Sequence, residues 1–145
     1  MKIIFVIGPA GSGKSTYIKK NFPDAKVVDL WDFQENLRRF SVEEIFETYK
    51  MAEDALKETI KKNLNTDNTV ILEHTLLKAK RRPQYIGAVR SITDVPIEVH
   101  VMNPSIEIYK ERCKSKGISP RIDELELLEI PVEEEGFSYI KVIKD

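Results

Sequence analysis

Apolar residues run without a break through Ile3-Ile4-Phe5-Val6-Ile7, leaving no polar face to turn toward water. A short uninterrupted run of this kind marks a strand covered on both sides, as in a parallel sheet sandwiched by helices. Similar runs recur at Lys26-Val27-Val28-Asp29, Thr69-Val70-Ile71-Leu72-Glu73-His74, Ile97–Met102 and Tyr139–Ile143. Between them the period lengthens to that of a helix. The pattern predicts helices over about 14–21, around 34–63, between Leu77 and Val89 with an interruption near Pro83, from Asn103-Pro104 to about Ser115, and a short one over 121–129. In the longest of these, Ile45, Tyr49, Ala52, Leu56 and Ile60 fall on one stripe. Ser41 with Glu44 forms a capping-box pattern there, and Glu53/Lys57 and Glu58/Lys62 have a helix-supporting spacing. Strands alternating with helical connections predict an α/β fold with a five-stranded, mainly parallel sheet.

Composition bounds this picture. The 145 residues suffice for one sizeable core, and no repeat or long linker divides them, so a single domain over 1–145 is expected. Twenty-three basic and 24 acidic residues give a formal charge of -1, which supplies no global attraction to nucleic acid or to an anionic membrane. The lone Cys113 excludes an internal disulfide framework and fits a reducing compartment. The apolar start is too short to span a bilayer. A cytoplasmic location is expected, that of the host if the gene is viral, with no membrane partner.

The chemistry begins where the first strand ends. Gly8-Pro9-Ala10-Gly11-Ser12-Gly13-Lys14-Ser15 is a glycine, four residues, then Gly-Lys-Ser, the phosphate-loop spacing, and it leads through Thr16 into a predicted helix. The glycines let successive backbone N–H groups close around a phosphate at the helix N-terminus. Lys14 can reach the β- and γ-phosphates, and the Ser15 hydroxyl can complete a Mg2+ shell. Residues Gly8 to Thr16 are therefore the candidate nucleotide site.

In a parallel α/β sheet the carboxyl ends of the strands form one functional rim. That rule gathers Asp29 and Asp32 after the second strand, Glu73, His74 and Thr75 at the end of the third, and Asn103 after the fourth. Asp32 is favoured as the residue that accepts a proton from, or orients, an acceptor hydroxyl, with Asp29 as an alternative base or a ligand to metal-bound water. Asp32 equally suits a helix cap before Phe33, and Asp29 a polar strand end. Glu73 can hold Mg2+ through water or bind the acceptor, and the Thr75 hydroxyl can bind substrate or cap a turn; His74 is a weaker base candidate. Lys110, Arg112, Lys114, Lys116 and Arg121 form a basic lid segment near 110–121, in which Arg112 and Lys116 can stabilise charge on a transferring phosphate. Cys113 falls on that helix's apolar side and reads as a core thiol. Lys80, Arg81 and Arg82 offer a site for an acceptor phosphate. The acidic run from Asp123 to Glu135 argues against one continuous nucleic-acid surface, and no guanine-reading segment accompanies the loop.

Taken together, these segments resemble the compact P-loop kinases grouped with the 5'-kinase domain of polynucleotide kinases and, more distantly, zeta-toxin-like kinases. Val27-Val28-Asp29-Leu30-Trp31-Asp32-Phe33 resembles their acidic segment, Val70–Thr75 with Arg81-Arg82 their third-strand region, Tyr109–Gly117 their basic lid helix, and Ile130-Pro131 through Glu135-Gly136-Phe137 their approach to the final strand. The resemblance implies a P-loop NTPase/kinase-like three-layer sandwich, ATP and Mg2+ as cofactors, and γ-phosphoryl transfer to a hydroxyl-bearing acceptor, in that family the 5' end of RNA or DNA. It also implies that Gln34 stands at a position that orients acceptor or phosphate. The chain departs from the family pattern at Trp31, where an ungapped reading expects the acidic base that a one-residue adjustment restores to Asp32. Gln34 and Lys116 replace expected arginines, and His74 an expected acid. A small-molecule kinase and a catalytically weak nucleotide-dependent binding or regulatory protein are the alternative readings.

Overall fold

In the computed structural model, which describes residues 1–35 and 41–145, the apolar runs become five strands: β1 (Lys2–Ile7), β2 (Lys26–Asp29), β3 (Thr69–His74), β4 (Ile97–Met102) and β5 (Tyr139–Ile143). They lie in the order β2-β3-β1-β4-β5, every neighbouring pair parallel. β1 is central because both its faces are apolar. Ile3, Phe5 and Ile7 join one core, with Leu56, Tyr85 and Phe137, while Ile4 and Val6 join a second, with Ile18 and Met102. Burying each such side chain stabilises the fold by about 1.5–3 kcal/mol, which an alternating strand could gain on one face only.

The helices cover these two faces and make a three-layer sandwich. They are α1 (Lys14–Asn21), α2 (Trp31–Gln34), α3 (Val42–Asn63), α4 (Pro83–Arg90), α5 (Ile106–Ser115) and α6 (Ile122–Leu127), with single 3-10 turns at Ala79–Arg81 and Glu133–Glu135. On α3 the expected stripe is buried at Ala52, Leu56 and Ile60. Ser41 caps it, its Oγ accepting the Glu44 N–H at 3.1 Å. Lys57 pairs with Glu53 at 3.2 Å, whereas Glu58 pairs with Lys61 at 3.5 Å in place of the expected Lys62. Of the helix expected around 34–63, residues 36–40 lie outside the described residues. Pro83 begins a helix, as its fixed φ and missing N–H favour at that position.

One helix start is corrected. Asn103 does not cap α5, because the helix begins only at Ile106; its backbone N–H instead donates to Ile143 O at 2.7 Å and continues the β4–β5 pairing. Ser105 caps instead, accepting the Ile108 N–H at 3.3 Å. The chain leaves β1 toward β2 and β3 on one side and returns to β4 on the other. The carboxyl end of β1 is thus the topological switch point, where open α/β sheets bind ligands.

Candidate functional site

The phosphate loop starts at that switch point and is pinned there by backbone. Gly8 donates its N–H to Thr75 O at 3.1 Å. Its φ is +147°, and a Cβ there would lie 2.7 Å from Met102 O, so no other residue lets the loop leave the sheet this closely. Gly11, at φ +82°, packs where a Cβ would meet Ile118 and Cys113 at 2.7 and 2.9 Å. The expected core thiol is buried there. The Ser12 hydroxyl is buried and lacks a hydrogen-bond partner among the described residues. Gly13 occupies the N-cap of α1, leaving Ser15 and Thr16 exposed in its first turn.

Lys14 folds back over this loop, its Nζ donating to Gly8 O at 2.8 Å and Pro9 O at 3.1 Å. Burial lowers its ammonium to about 8, against the opposing pull of Glu73, Glu124 and Asp29. Ser15 Oγ donates to Glu73 Oε2 at 2.7 Å. Glu73 is aligned with Asp29 across the β2–β3 pairing. Burial raises both carboxyl groups above the usual range, and Asp32 adds repulsion to each. The loop, Lys14, Ser15, Glu73 and Asp29 thus converge as the sheet topology requires. Asp29 also accepts the Trp31 N–H at 3.0 Å, and Asp32 lies inside α2 rather than capping it, which sets aside the alternative reading of Asp32 as a cap. Asp32 itself is exposed on α2.

The basic segment reaches the loop from α5. Arg112 donates to Ser12 O at 2.7 Å, and Lys116 lies close enough to oppose the charge on Lys14. Two contacts escaped the sequence reading. Tyr109, an apolar-face position on α5, donates its hydroxyl to Ala10 O at 2.7 Å, and Glu124 Oε1 accepts the Ala10 N–H at 3.0 Å. No local spacing signals either, since the partners are 99 and 114 residues apart.

The remaining candidates separate. Thr75 borders the crevice beside the Tyr49 hydroxyl. Arg81 is exposed, its guanidinium 4.9 Å from the Phe46 ring centroid. Gln34 uses its amide on Thr48 Oγ1, at 3.0 Å, which ties α2 to α3. Arg82 is corrected from acceptor site to interior girder. It is 0% exposed, meets both Glu135 oxygens at 2.9 and 3.1 Å, and donates to the carbonyls of Leu76, Leu77 and Glu129.

His74 is interior too. Its Nδ1 accepts the Leu76 N–H at 3.2 Å, which leaves Nε2 to donate to Tyr85 OH at 3.0 Å. Burial holds the ring neutral, down to about pH 3. An unfolded chain takes up this proton near pH 6.5, so stability falls as pH drops from there toward 3. His74→Gln is expected to flatten the loss of unfolding free energy between pH 6.5 and 5 by about 1–2 kcal/mol. His100, also lowered by burial, retains part of the slope. Parallel pH dependences of wild type and variant in urea unfolding would remove this role.

The geometry agrees with comparisons to known proteins. The chain resembles a sugar kinase from a Janibacter species (TM-score 0.65, 14% identity, covering 99% of this chain and 85% of that one). It also resembles Kti12 from Chaetomium thermophilum, solved in complex with ADP-AlF3 (TM-score 0.60, 17% identity, 98% of this chain and 88% of that one). A third likeness is to a chain of the Pnkp1/Rnl/Hen1 RNA repair complex (TM-score 0.58, 21% identity, 79% of this chain and 37% of that one). At these identities the likenesses establish a P-loop kinase-like fold. No curated protein sequence matches the chain. A family model described as an AAA domain matches residues 3–126, and the chain therefore belongs to that family of AAA domains.

Proposed function

We propose that this protein is an ATP-dependent phosphotransferase that moves the γ-phosphoryl group to a hydroxyl, with the 5'-hydroxyl of a polynucleotide as the favoured acceptor class. The carrying observation is the Lys14 ammonium and the Ser15–Glu73 pair, gathered at the carboxyl ends of β1 and β3. Kinase-like relatives in fold, one of them solved with ADP-AlF3, support a nucleotide-dependent role. The donor set suits Mg2+, which binds hard oxygens and takes one or two carboxylates plus substrate phosphates. Among the described residues no group of three or more His, Cys, Asp or Glu is placed to hold a metal unaided. Ser15 and Glu73, the latter through water, would hold the ion only together with those phosphates. Bound ATP–Mg2+ supplies the activated phosphoryl group.

The chain's own residues do the rest. Loop N–H groups and Lys14 bind the phosphates, while Arg112 and Lys116 face the developing charge from the lid side. Asp32, exposed beside the crevice, orients the acceptor hydroxyl and takes its proton. The hydroxyl oxygen bonds to the γ-phosphorus as the bond to the β–γ bridging oxygen breaks, releasing ADP. Trp31, 58% exposed next to Asp32, and the Arg81–Phe46 pair offer stacking surfaces for a base near the acceptor hydroxyl.

A transfer screen with labelled ATP, offering 5'-hydroxyl RNA and DNA, nucleosides, sugars and proteins, tests this reading. Label at an oligonucleotide 5' end is expected. Label on a sugar alone would replace the acceptor class, as the likeness to a sugar kinase allows. ATP binding without transfer to any acceptor would leave a nucleotide-dependent binding or regulatory protein. Asp32→Asn is expected to slow transfer by about 10^2–10^3-fold with ATP affinity intact, and an unchanged rate would dismiss it as the base.

A further inference from the structure

Glu124 has no part in the reaction just described, yet its carboxylate sits in the mouth of the phosphate loop. Oε1 accepts the Ala10 N–H at 3.0 Å, and Oε2 accepts from Arg121 at 3.1 Å. Tyr109 fastens the same place from the other flank, donating to Ala10 O at 2.7 Å and accepting the Arg121 N–H at 3.0 Å. An acidic side chain thus bonds to a loop whose backbone is built to meet phosphate oxygens, and it lies within electrostatic reach of the Lys14 ammonium.

The element that carries it is lightly attached. α6 buries no side chain. Upstream, Gly117 turns at φ +69° with open space where a Cβ would stand. Downstream, Glu129 is anchored, its N–H donating to Leu77 O at 2.8 Å and its carbonyl accepting from Arg82. Motion of α6 between Gly117 and Leu128 therefore breaks the Ala10–Glu124 and Arg121–Tyr109 hydrogen bonds, while Leu128 stays packed on the core and Tyr109 stays buried, the low-cost end of local opening.

We propose that Glu124 is an internal occupant of the phosphate loop, displaced together with α6 when the terminal phosphates of a nucleotide enter. Two anions cannot share the Ala10 N–H at contact distance without strong repulsion. Nucleotide entry is then coupled to release of the strap, and the coupling lowers apparent affinity in proportion to how firmly the strap is seated. The inference rests on the nucleotide-binding part of the function proposed above and not on transfer.

Calorimetric titration of MgATP into wild type, Glu124→Gln and the exposed control Glu126→Gln tests it. Glu124→Gln keeps the size and an accepting oxygen but removes the charge. It is expected to bind MgATP roughly 5–50-fold more tightly, with the control unchanged. Equal or weaker binding by Glu124→Gln would overturn the proposal while leaving nucleotide binding itself in place. If MgATP binds neither wild type nor variant, the nucleotide reading falls and the strap with it. Amide exchange at Ala10 gives a readout free of nucleotide. It is expected to be slow in the free wild type and at least several-fold faster in Glu124→Ala, a change that leaves the core intact. Identical exchange rates would also overturn the proposal.

Discussion

Lys14→Met is expected to reduce nucleotide affinity and phosphoryl transfer by about 10^2–10^3-fold while leaving the fold intact. The ammonium now spends its hydrogen bonds on Gly8 O and Pro9 O, partners that belong to the same loop. Charge-assisted bonds contribute about 1.5–3 kcal/mol each, so losing one or two to the phosphates accounts for the factor. Stability should not suffer. Burial lowers Lys14 to about 8, so the folded state holds this proton less tightly than an unfolded chain does. Its charge therefore costs folding free energy at neutral pH, and Met preserves the apolar stem. The same shift gives the wild type a pH signature. Phosphate binding needs the ammonium, so affinity should decline as pH rises through about 8, and the variant should lose that decline. Titration of labelled ATP from pH 6.5 to 9, alongside thermal melts, measures both effects. Undiminished binding and transfer in Lys14→Met would remove the residue from the center of the site.

Arg82→Met should lower stability by about 3–5 kcal/mol, because it strips one partner from a buried pair and leaves the other uncompensated. Glu135, whose side chain is only 16% exposed, would lose both guanidinium contacts. The carbonyls of Leu76, Leu77 and Glu129 would lose donors in the same step. For a chain of this length the melting temperature is expected to fall by roughly 10 °C or more. Arg82→Lys should recover little, since an ammonium cannot reproduce a planar fork directed at five acceptors. Arg81→Ala, which removes an exposed contact to Phe46, should cost about 0.5–1 kcal/mol. Urea unfolding of the three variants separates the roles. An Arg82→Met protein as stable as wild type would show that the residue is no girder.

Neighbouring positions in the sequence, Arg81 and Arg82 thus have opposite fates, and the reason defines what a sequence can disclose. Charge alone placed both at the acceptor rim. Which of them turned inward depended on the Glu129–Glu135 segment folding back beneath the loop after β3, a contact made across 53 residues in the pair with Glu135. Glu73 was legible, because a carboxylate ending an apolar strand must emerge at the rim. Asp29 was placed at the rim by the same rule. Which of Asp29 and Asp32 meets the Trp31 N–H was not legible, since the backbone turn at the start of α2 decides it. His74 read as a weak base candidate, and only the packing of Tyr85 and the Leu76 N–H against the ring makes it a buried, neutral strut.

The sequence by itself determined the five strands, the rim at their carboxyl ends and the phosphate loop. Each of these follows from local physics: apolar runs that need cover on both faces, and glycines that admit a backbone no other residue tolerates. Tertiary structure alone decided what closes over the loop. Tyr109 and Glu124 meet Ala10 across 99 and 114 residues, and hydrogen bonds between such distant positions leave no periodicity or spacing behind. The same holds for the seat of Arg82. Local pattern fixes which groups reach the rim, and long-range packing fixes which of them face the phosphates.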